Sequence, residues 1–197
     1  MMRSSFVSLL FAATMLVAAP ASHAVLLHFS AHMDGPSESP PNASTGTGFA
    51  TVDFDTVAQT MTVHADFSGL LAGTSAAHIH CCVDPDATPP TAAVATTTPS
   101  FVGFPLGVTS GVFDAILDLT DATSFRAGFI TDNGGTVAGA EAALIAGLLA
   151  GDAYFNIHTS QFTGGEIRGF LIPEPGILGL LGLGLAAAFV ATRRRRS

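Results

Sequence analysis

The sequence contains no lysine, and all seven of its basic residues are arginines. Four of them form the run 193–196 near the C-terminal end. The segment from Val25 to Leu171 carries 14 acidic residues against two arginines, Arg126 and Arg168, a net charge near −12. Binding to nucleic acid or to an anionic membrane surface requires clustered basic side chains. This segment is therefore not expected to bind nucleic acid, and its acidity either favours cations and basic surfaces or serves solubility alone.

Cysteine is almost as scarce, because the chain has only two cysteines, and Cys81 and Cys82 are adjacent. A framework of disulfides between distant positions is thereby excluded. The pair either forms a vicinal disulfide, although its Cα atoms lie closer than in usual disulfides, or pairs with another chain. The sequence also lacks a nucleophile elbow, a phosphate-binding loop, a dinucleotide fingerprint and a metalloprotease helix motif. No enzymatic activity is therefore expected.

The N-terminal 24 residues have the organisation of a signal peptide. Arg3 provides a positive charge, and the apolar run 6–19 follows it. Small residues then flank His23, which predicts cleavage after Ala24. Export places the two cysteines in an oxidising compartment.

A second apolar segment lies at the C-terminal end. Residues 177–192 carry no charge, and the arginine run follows them directly. As a helix this segment would be about 24 Å long, short for a bilayer core of about 30 Å. The arginines should stay in the cytoplasm, so the segment predicts a transmembrane helix with the preceding domain outside the inner membrane.

Pro173, Glu174 and Pro175 stand immediately before that helix. Motif, glycine-rich apolar helix and basic end occur in the order of a PEP-CTERM sorting signal, which residues 172–197 resemble. The resemblance implies recognition and removal of the tail by an exosortase-type membrane enzyme of a Gram-negative bacterium that makes extracellular polysaccharide. The expected location is transient anchoring in the inner membrane, followed by display at the cell surface or secretion. An ordinary membrane anchor is the alternative.

Residues 25–171 are predicted to form one β-rich domain. Alternating apolar residues at Leu27, Phe29, Ala31 and Met33 indicate a strand with one buried face. Six further strands are predicted at 49–54, 61–67, 76–81, 111–117, 153–159 and 166–171, the first two of them as a hairpin. Helices are predicted at 137–149, with Glu141 in the first turn, and at 123–130, and an exposed polar loop at 84–99. Short strands with few helices favour an antiparallel β-sandwich.

Three segments in this domain resemble the CHRD domain, a module first described in chordin and found in exported bacterial proteins. They are Ala77-His78-Ile79-His80, the segment 148–159 that includes Tyr154-Phe155-Asn156-Ile157-His158, and Gly164-Gly165-Glu166-Ile167-Arg168-Gly169. The resemblance spans about residues 26–171 and implies a fold rather than an activity. The His-x-His strand is similar, more distantly, to the copper/zinc superoxide dismutase sandwich, which by itself implies no activity.

The sharpest candidate site is a metal site of His78, His80 and His158. Residues two apart on a strand point to the same face, so the imidazoles of His78 and His80 can converge on one ion. His158 is the third candidate because its strand carries the other histidine-bearing motif, and Cys82 is a fourth if the strand continues that far. Imidazole with thiolate favours copper or zinc. The alternative is that these histidines only hydrogen-bond to neighbouring backbone.

The remaining polar candidates are weaker. His28, His32 and His64 are expected to make local surface contacts. Glu166 and Arg168, two apart on one strand, are expected to form an ion pair of modest value. Asp84 and Asp86 fall short of a calcium loop. The chain is therefore interpreted as a non-enzymatic binding or structural module of the cell envelope or extracellular matrix, with copper or zinc binding, redox-active in its extreme form, as the alternative.

Overall fold

The computed structural model describes residues 26–84, 88 and 90–174. The predicted signal peptide 1–24, its cleavage site at Ala24 and the predicted transmembrane helix 177–192 lie outside these residues. Within the described part of the chain, no helix is long and apolar enough to cross a membrane. The boundaries of the terminal segments therefore stay predictions.

Eight strands and two α-helices follow one another along the chain. They are β1 Leu26–Asp34, β2 Thr47–Asp55, β3 Thr60–Ser68, β4 Thr74–His80, β5 Gly111–Asp118, α1 Ala127–Asp132, α2 Val137–Ala150, β6 Tyr154–Thr159, β7 Ile167–Phe170 and β8 Ile172–Pro173, with a short 3₁₀ turn at Ala122–Ser124 before α1. All seven predicted strands are confirmed, as is the hairpin of β2 and β3.

The strands form one antiparallel sheet in the order β4-β6-β7-β1-β2-β3-β5, with β8 paired to β1. The sheet curls, because Phe101 packs both against Phe113 of β5, the last strand in that order, and against Phe155 of β6, the second strand. The ring centroids are 5.5 and 5.7 Å apart. The predicted mainly antiparallel β fold with short helices is confirmed. One curled sheet, rather than two separate sheets, encloses the core.

The inner face of the sheet follows the predicted alternation. In β1 the side chains of Leu27, Phe29, Ala31 and Met33 are buried, whereas His28 and His32 are exposed. Helix α2 lays Ala140, Leu144 and Leu148 into the same core.

The helix boundaries have clear local causes. The Thr136 hydroxyl accepts a hydrogen bond from the backbone N–H of Gly139 at the start of α2, and Gly151 ends the helix with φ 76°, a left-handed conformation that glycine adopts without strain. Glu141 is the fifth residue of α2 and lies just beyond its first turn, contrary to expectation. The Glu141 carboxyl is buried and accepts a 2.8 Å bond from Gln59 Nε2.

The loop 84–99 was expected to be polar and exposed, and this is wrong for its residues 95 and 96. Ala95 and Thr96 are fully buried. The backbone N–H of Ala95 donates to Ile79 O, and that of Cys81 donates to Ala93 O. Strand β4 ends the sheet, and an edge strand has backbone groups that need partners. The returning loop supplies them.

The start of the sorting motif is part of the sheet. Ile172 and Pro173 pair with Ser30 and Phe29 of β1, and the backbone N–H of Glu174 donates to His28 O over 3.0 Å. The first and last described residues therefore lie side by side at one end of the sheet.

Candidate metal centre

Strands β4 and β6 bring the three histidines of the sequence prediction together. On β4, Ala77 and Ile79 face the core, so His78 and His80 point to the opposite face. The register pairs His80 with Tyr154 and Ala76 with His158. One nitrogen from each ring lies within 4.8 Å of one nitrogen from each of the other two rings.

This outer face is buried although it is not part of the apolar core. His78, His80 and His158 are 7 to 9% exposed, and all six residues of β6 are buried. Segments of the loops around residues 37, 90–99 and 163 cover it. Arg168 holds two of these segments, because its Nε donates to Ser37 O over 2.5 Å and its Nη1 donates to Pro90 O over 3.2 Å.

Each imidazole is oriented by one backbone carbonyl. His78 Nε2 donates to Pro99 O at 2.7 Å, His80 Nδ1 to Ala92 O at 2.8 Å, and His158 Nδ1 to Thr163 O at 3.0 Å. A carbonyl only accepts, so these nitrogens carry the proton. The second nitrogen of each ring is buried and has no hydrogen-bond partner: His78 Nδ1, His80 Nε2 and His158 Nε2. Each ring therefore keeps one unprotonated nitrogen with a free lone pair.

The electrostatics keep all three rings neutral. Burial lowers the pKa of His78 and of His80 to about 4, and the hydrogen bonds to Pro99 and Ala92 only partly oppose this. Burial also lowers the pKa of His158. Metal ions bind the neutral form of imidazole.

Tyr154 and Arg168 flank the cluster on the side of His80. The Tyr154 ring stacks on the His80 ring, with centroids 4.8 Å apart and planes 8° apart. The Arg168 guanidinium carbon lies 4.8 Å from the centroid of the same Tyr154 ring. The Tyr154 hydroxyl accepts from the backbone N–H of Ala92 and donates to its carbonyl, so His80 and Tyr154 hold the same loop residue.

Cys82 does not join the histidines. Strand β4 ends at His80, and Cys82 is bonded to Cys81 in a vicinal disulfide. This bond is one of the two alternatives that the sequence left open. The two sulfur atoms pack on helix α2 at Gly147, where a Cβ atom would collide with both of them.

Glu166 and Arg168 do not form the expected ion pair. Glu166 is fully buried and accepts hydrogen bonds from Ser44, Leu71 and Thr159. The carboxylate beside Arg168 is that of Glu38, 3.9 Å from Nε.

The weaker candidates occupy the surface, as predicted. His28 Nδ1 lies 2.5 Å from Asp53 Oδ1, and His64 Nδ1 lies 2.7 Å from Asp114 Oδ1, all four side chains being well exposed. His32 packs against Phe49. Asp84 is exposed, and Asp86 lies outside the described residues.

Glu38, Asn156 and Tyr154 were missed by the sequence analysis. Tyr154 and Asn156 are four and two residues before His158 on one strand, so the period of two carried a signal that all three share a face. Glu38 lies in a loop, where no periodicity predicts the direction of a side chain.

Fold and site together define an antiparallel β domain with a buried three-histidine cluster on the outer face of its sheet. The model of the CHRD domain family matches residues 29–171, and that of the PEP-CTERM protein-sorting motif matches residues 171–196. The chain belongs to the CHRD domain family and carries a PEP-CTERM sorting motif, so both resemblances are confirmed. No curated protein and no solved structure matches it. The motif implies processing by an exosortase, a membrane enzyme, and export to the surface or exterior of a Gram-negative cell.

Proposed function

We propose that this domain is a non-enzymatic binding module that holds one copper or zinc ion between His78, His80 and His158 outside the cell. The observation that carries the proposal is the set of three buried ring nitrogens without partners, one on each histidine of the cluster. A buried polar atom without a partner costs about 1–3 kcal/mol. Three such costs in one place are offset when an ion accepts the three lone pairs.

The arrangement of the second nitrogens supports the same function. Metal-bound histidines usually donate the other ring N–H to a carbonyl or carboxylate, which fixes the ring and its tautomer. All three rings here have such a bond to a backbone carbonyl. Histidines that only joined strands would need just these bonds, and nothing in that role accounts for the three remaining nitrogens.

The chemistry of the donor set favours copper or zinc. Three imidazoles without a carboxylate suit these ions better than magnesium or calcium, which prefer oxygen. In a tetrahedral zinc site the ligand nitrogens are about 3.4 Å apart, since each bond is about 2.0–2.1 Å. The ring nitrogens here lie within 4.8 Å of one another, so a small inward movement of the rings would bring them to that spacing. A fourth position remains for water or a ligand.

The sorting motif provides the setting of this function. In the proposed sequence of events, the chain is anchored in the inner membrane by its C-terminal segment until the exosortase removes that segment. The released domain then acts in the envelope or extracellular matrix, where polysaccharide is the proposed neighbour. The net charge near −12 of residues 25–171 favours accumulation of cations at such a domain.

The test is the metal content of the exported protein, purified without chelators and again after titration of the chelator-treated protein with zinc or copper. We expect about one ion per chain, lost in the triple variant His78→Ala, His80→Ala, His158→Ala. The matched control is the double variant His28→Ala, His64→Ala, which removes two exposed imidazoles and should keep the ion. A wild-type protein that takes up neither ion would refute the proposal. Equal binding by the triple variant would refute the assigned site.

A further inference from the structure

The curled sheet has two edges, and the described part of the chain covers only one of them. At the β4 edge, the returning loop bonds to the strand and its end through the backbone of Ala93 and Ala95. At the other edge, β5 pairs with β3 alone. An uncovered edge presents a row of unpaired N–H and C=O groups, which is a template for a further strand.

The register shows which backbone groups of β5 point outward. Leu119, directly after β5, donates its N–H to Gln59 O, the residue opposite it in the register of β3 and β5. Hydrogen-bonded pairs alternate along an antiparallel ladder, so the odd-numbered residues of β5 bond to β3. The N–H and C=O groups of Val112, Asp114 and Ile116 therefore point away from β3. Among the described residues none of these groups has a hydrogen-bond partner.

The side chains at these three positions leave the edge open to a partner. Val112 and Ile116 are 61% and 72% exposed, and an exposed aliphatic edge does not repel another strand. The charge that often protects an edge is present at Asp114, but its carboxylate lies 2.7 Å from His64 Nδ1 on β3. The carboxylate is therefore drawn toward the neighbouring strand and leaves the backbone of β5 accessible.

An apolar groove of about 350 Å³ lies beside the same strand. Phe101 and Val102 line it together with Phe113 and Leu117, the core-facing residues of β5. In β-strand addition, main-chain hydrogen bonds provide affinity, and pockets for alternate side chains provide specificity. The β5 edge offers outward backbone groups and such a pocket next to each other.

The charge around this edge indicates the chemistry of the partner. Residues 111–124 contain three aspartates and no basic residue, and Asp66 of β3 is exposed on the same face as Asp114. A second copy of this domain is disfavoured, because antiparallel β5 strands that matched Val112 with Ile116 would place two Asp114 carboxylates opposite each other. A strand with lysine or arginine side chains instead meets charge of the opposite sign.

We propose that the β5 edge, formed by Val112, Asp114 and Ile116, binds an extended segment of another exported protein in which aliphatic and basic side chains alternate. The segment adds an antiparallel strand to β5. Its aliphatic side chains enter the groove beside Phe101. The stems of its basic side chains pack on Val112 and Ile116, and their charged ends reach Asp114 and Asp66. This function is independent of the metal cluster, which involves β4 and β6.

The experiment is a titration of the exported protein with a labelled synthetic peptide of alternating lysine and valine, as long as β5, followed by fluorescence anisotropy. We expect saturable binding that weakens as salt is added. N-methyl groups on the lysine backbone nitrogens, which face β5 in the antiparallel pair, should weaken binding by about tenfold or more. N-methyl groups on the valine nitrogens face away and should leave binding nearly unchanged. A peptide with glutamate in place of lysine should not bind.

Variants of the protein test the same contacts from the other side. Ile116→Lys places a cation beside the basic peptide and should weaken binding by about tenfold. Ile116→Pro removes one outward N–H, which an edge strand tolerates, and should also weaken binding. Leu26→Lys is the matched control, because it adds the same charge at an exposed aliphatic position on β1, away from this edge, and should bind as the wild type does.

Three results would overturn the proposal. The first is that the lysine–valine peptide does not bind in a saturable way. The second is equal affinity of the two N-methylated peptides, or equal affinity of the wild type and Ile116→Lys. The third is dimerisation of the wild type alone in sedimentation experiments that Ile116→Lys abolishes, which would assign the edge to a second copy of this chain.

Discussion

Replacement of Glu166 should show how strongly one buried carboxyl holds the loops of this domain together. Its Oε1 accepts from Ser44 Oγ and from the backbone N–H of Leu71, both at 2.6 Å, and its Oε2 accepts from Thr159 Oγ1 at 2.7 Å. The side chain is fully buried. It therefore connects two loops to strand β6 by three short hydrogen bonds.

The magnitude follows from the partners that are left behind. Glu166→Ala leaves three donors without an acceptor, each at about 1–3 kcal/mol. Leu71 is half exposed, so water can reach its N–H and reduce its share. We expect a loss of about 3–5 kcal/mol in the free energy of unfolding, a large part of the 5–15 kcal/mol typical of a domain. Glu166→Gln keeps an acceptor for Ser44 and Leu71 and should cost about 1–2 kcal/mol.

Urea unfolding of the exported protein, followed by circular dichroism, measures both variants. Glu174→Ala is the control, because that side chain is exposed and only its backbone N–H is bonded, to His28 O. It should stay within about 0.5 kcal/mol of the wild type. A loss below 1 kcal/mol in Glu166→Ala, or equal losses in the alanine and glutamine variants, would refute the reasoning.

Three further predictions concern the site and its surroundings. Zinc at 100 times its Kd should raise the unfolding free energy of the wild type by about 2.7 kcal/mol, seen as a higher melting temperature, and His158→Ala should abolish the shift. Gly147→Ala should destabilise the protein by about 1–3 kcal/mol in thermal unfolding, because the new Cβ collides with both sulfur atoms. In a protein that also carries Cys81→Ala and Cys82→Ala, the sulfur atoms are gone, and Gly147→Ala should instead show the usual stabilisation by alanine in a helix. The pKa of Glu38 in the folded protein is about 7, above its ordinary 4.5, so between these pH values the folded protein binds more protons than the unfolded chain. The free energy of unfolding of the wild type, measured relative to that of Glu38→Gln, should therefore fall from pH 4.5 to 7 and then level off. A difference that stays constant with pH in urea titrations would contradict the raised pKa. Arg168, and through the same network Tyr154, are the groups that face Glu38.

The sequence predicts the strands well where one face of the strand is apolar and the other is exposed to solvent. Strands β1 and β3 alternate in that way, and the period of two is visible directly. Helix α2 was visible from its apolar composition and from Gly151 at its end. The pairing of β4 with β6 could not be predicted from the sequence, because the two strands are separated by more than 70 residues and β6 is buried on both faces.

The candidate site was predictable in part for the same reason. His78 and His80 are two apart on a strand, which is sufficient to place them on one face. His158 entered through its motif, and its proximity depends on the register of β4 and β6. The strand ends one residue before the disulfide, so the alternation that was extended to Cys82 does not reach it. Glu38 reaches the outer face of the sheet from a loop. The position of that loop depends on the hydrogen bond that Arg168 Nε donates to Ser37 O.

The burial of β6 on both faces also divides the domain by its tolerance to change. In β6 all six side chains are enclosed, so a substitution at any of these positions alters either the apolar core or the polar outer face. In β3 the exposed positions Thr62, Asp66 and Ser68 alternate with core residues. A library of variants should therefore find freely replaceable surface on the β2–β3–β5 half of the sheet and almost none on β6. Labels, affinity tags and new binding surfaces belong on that first half.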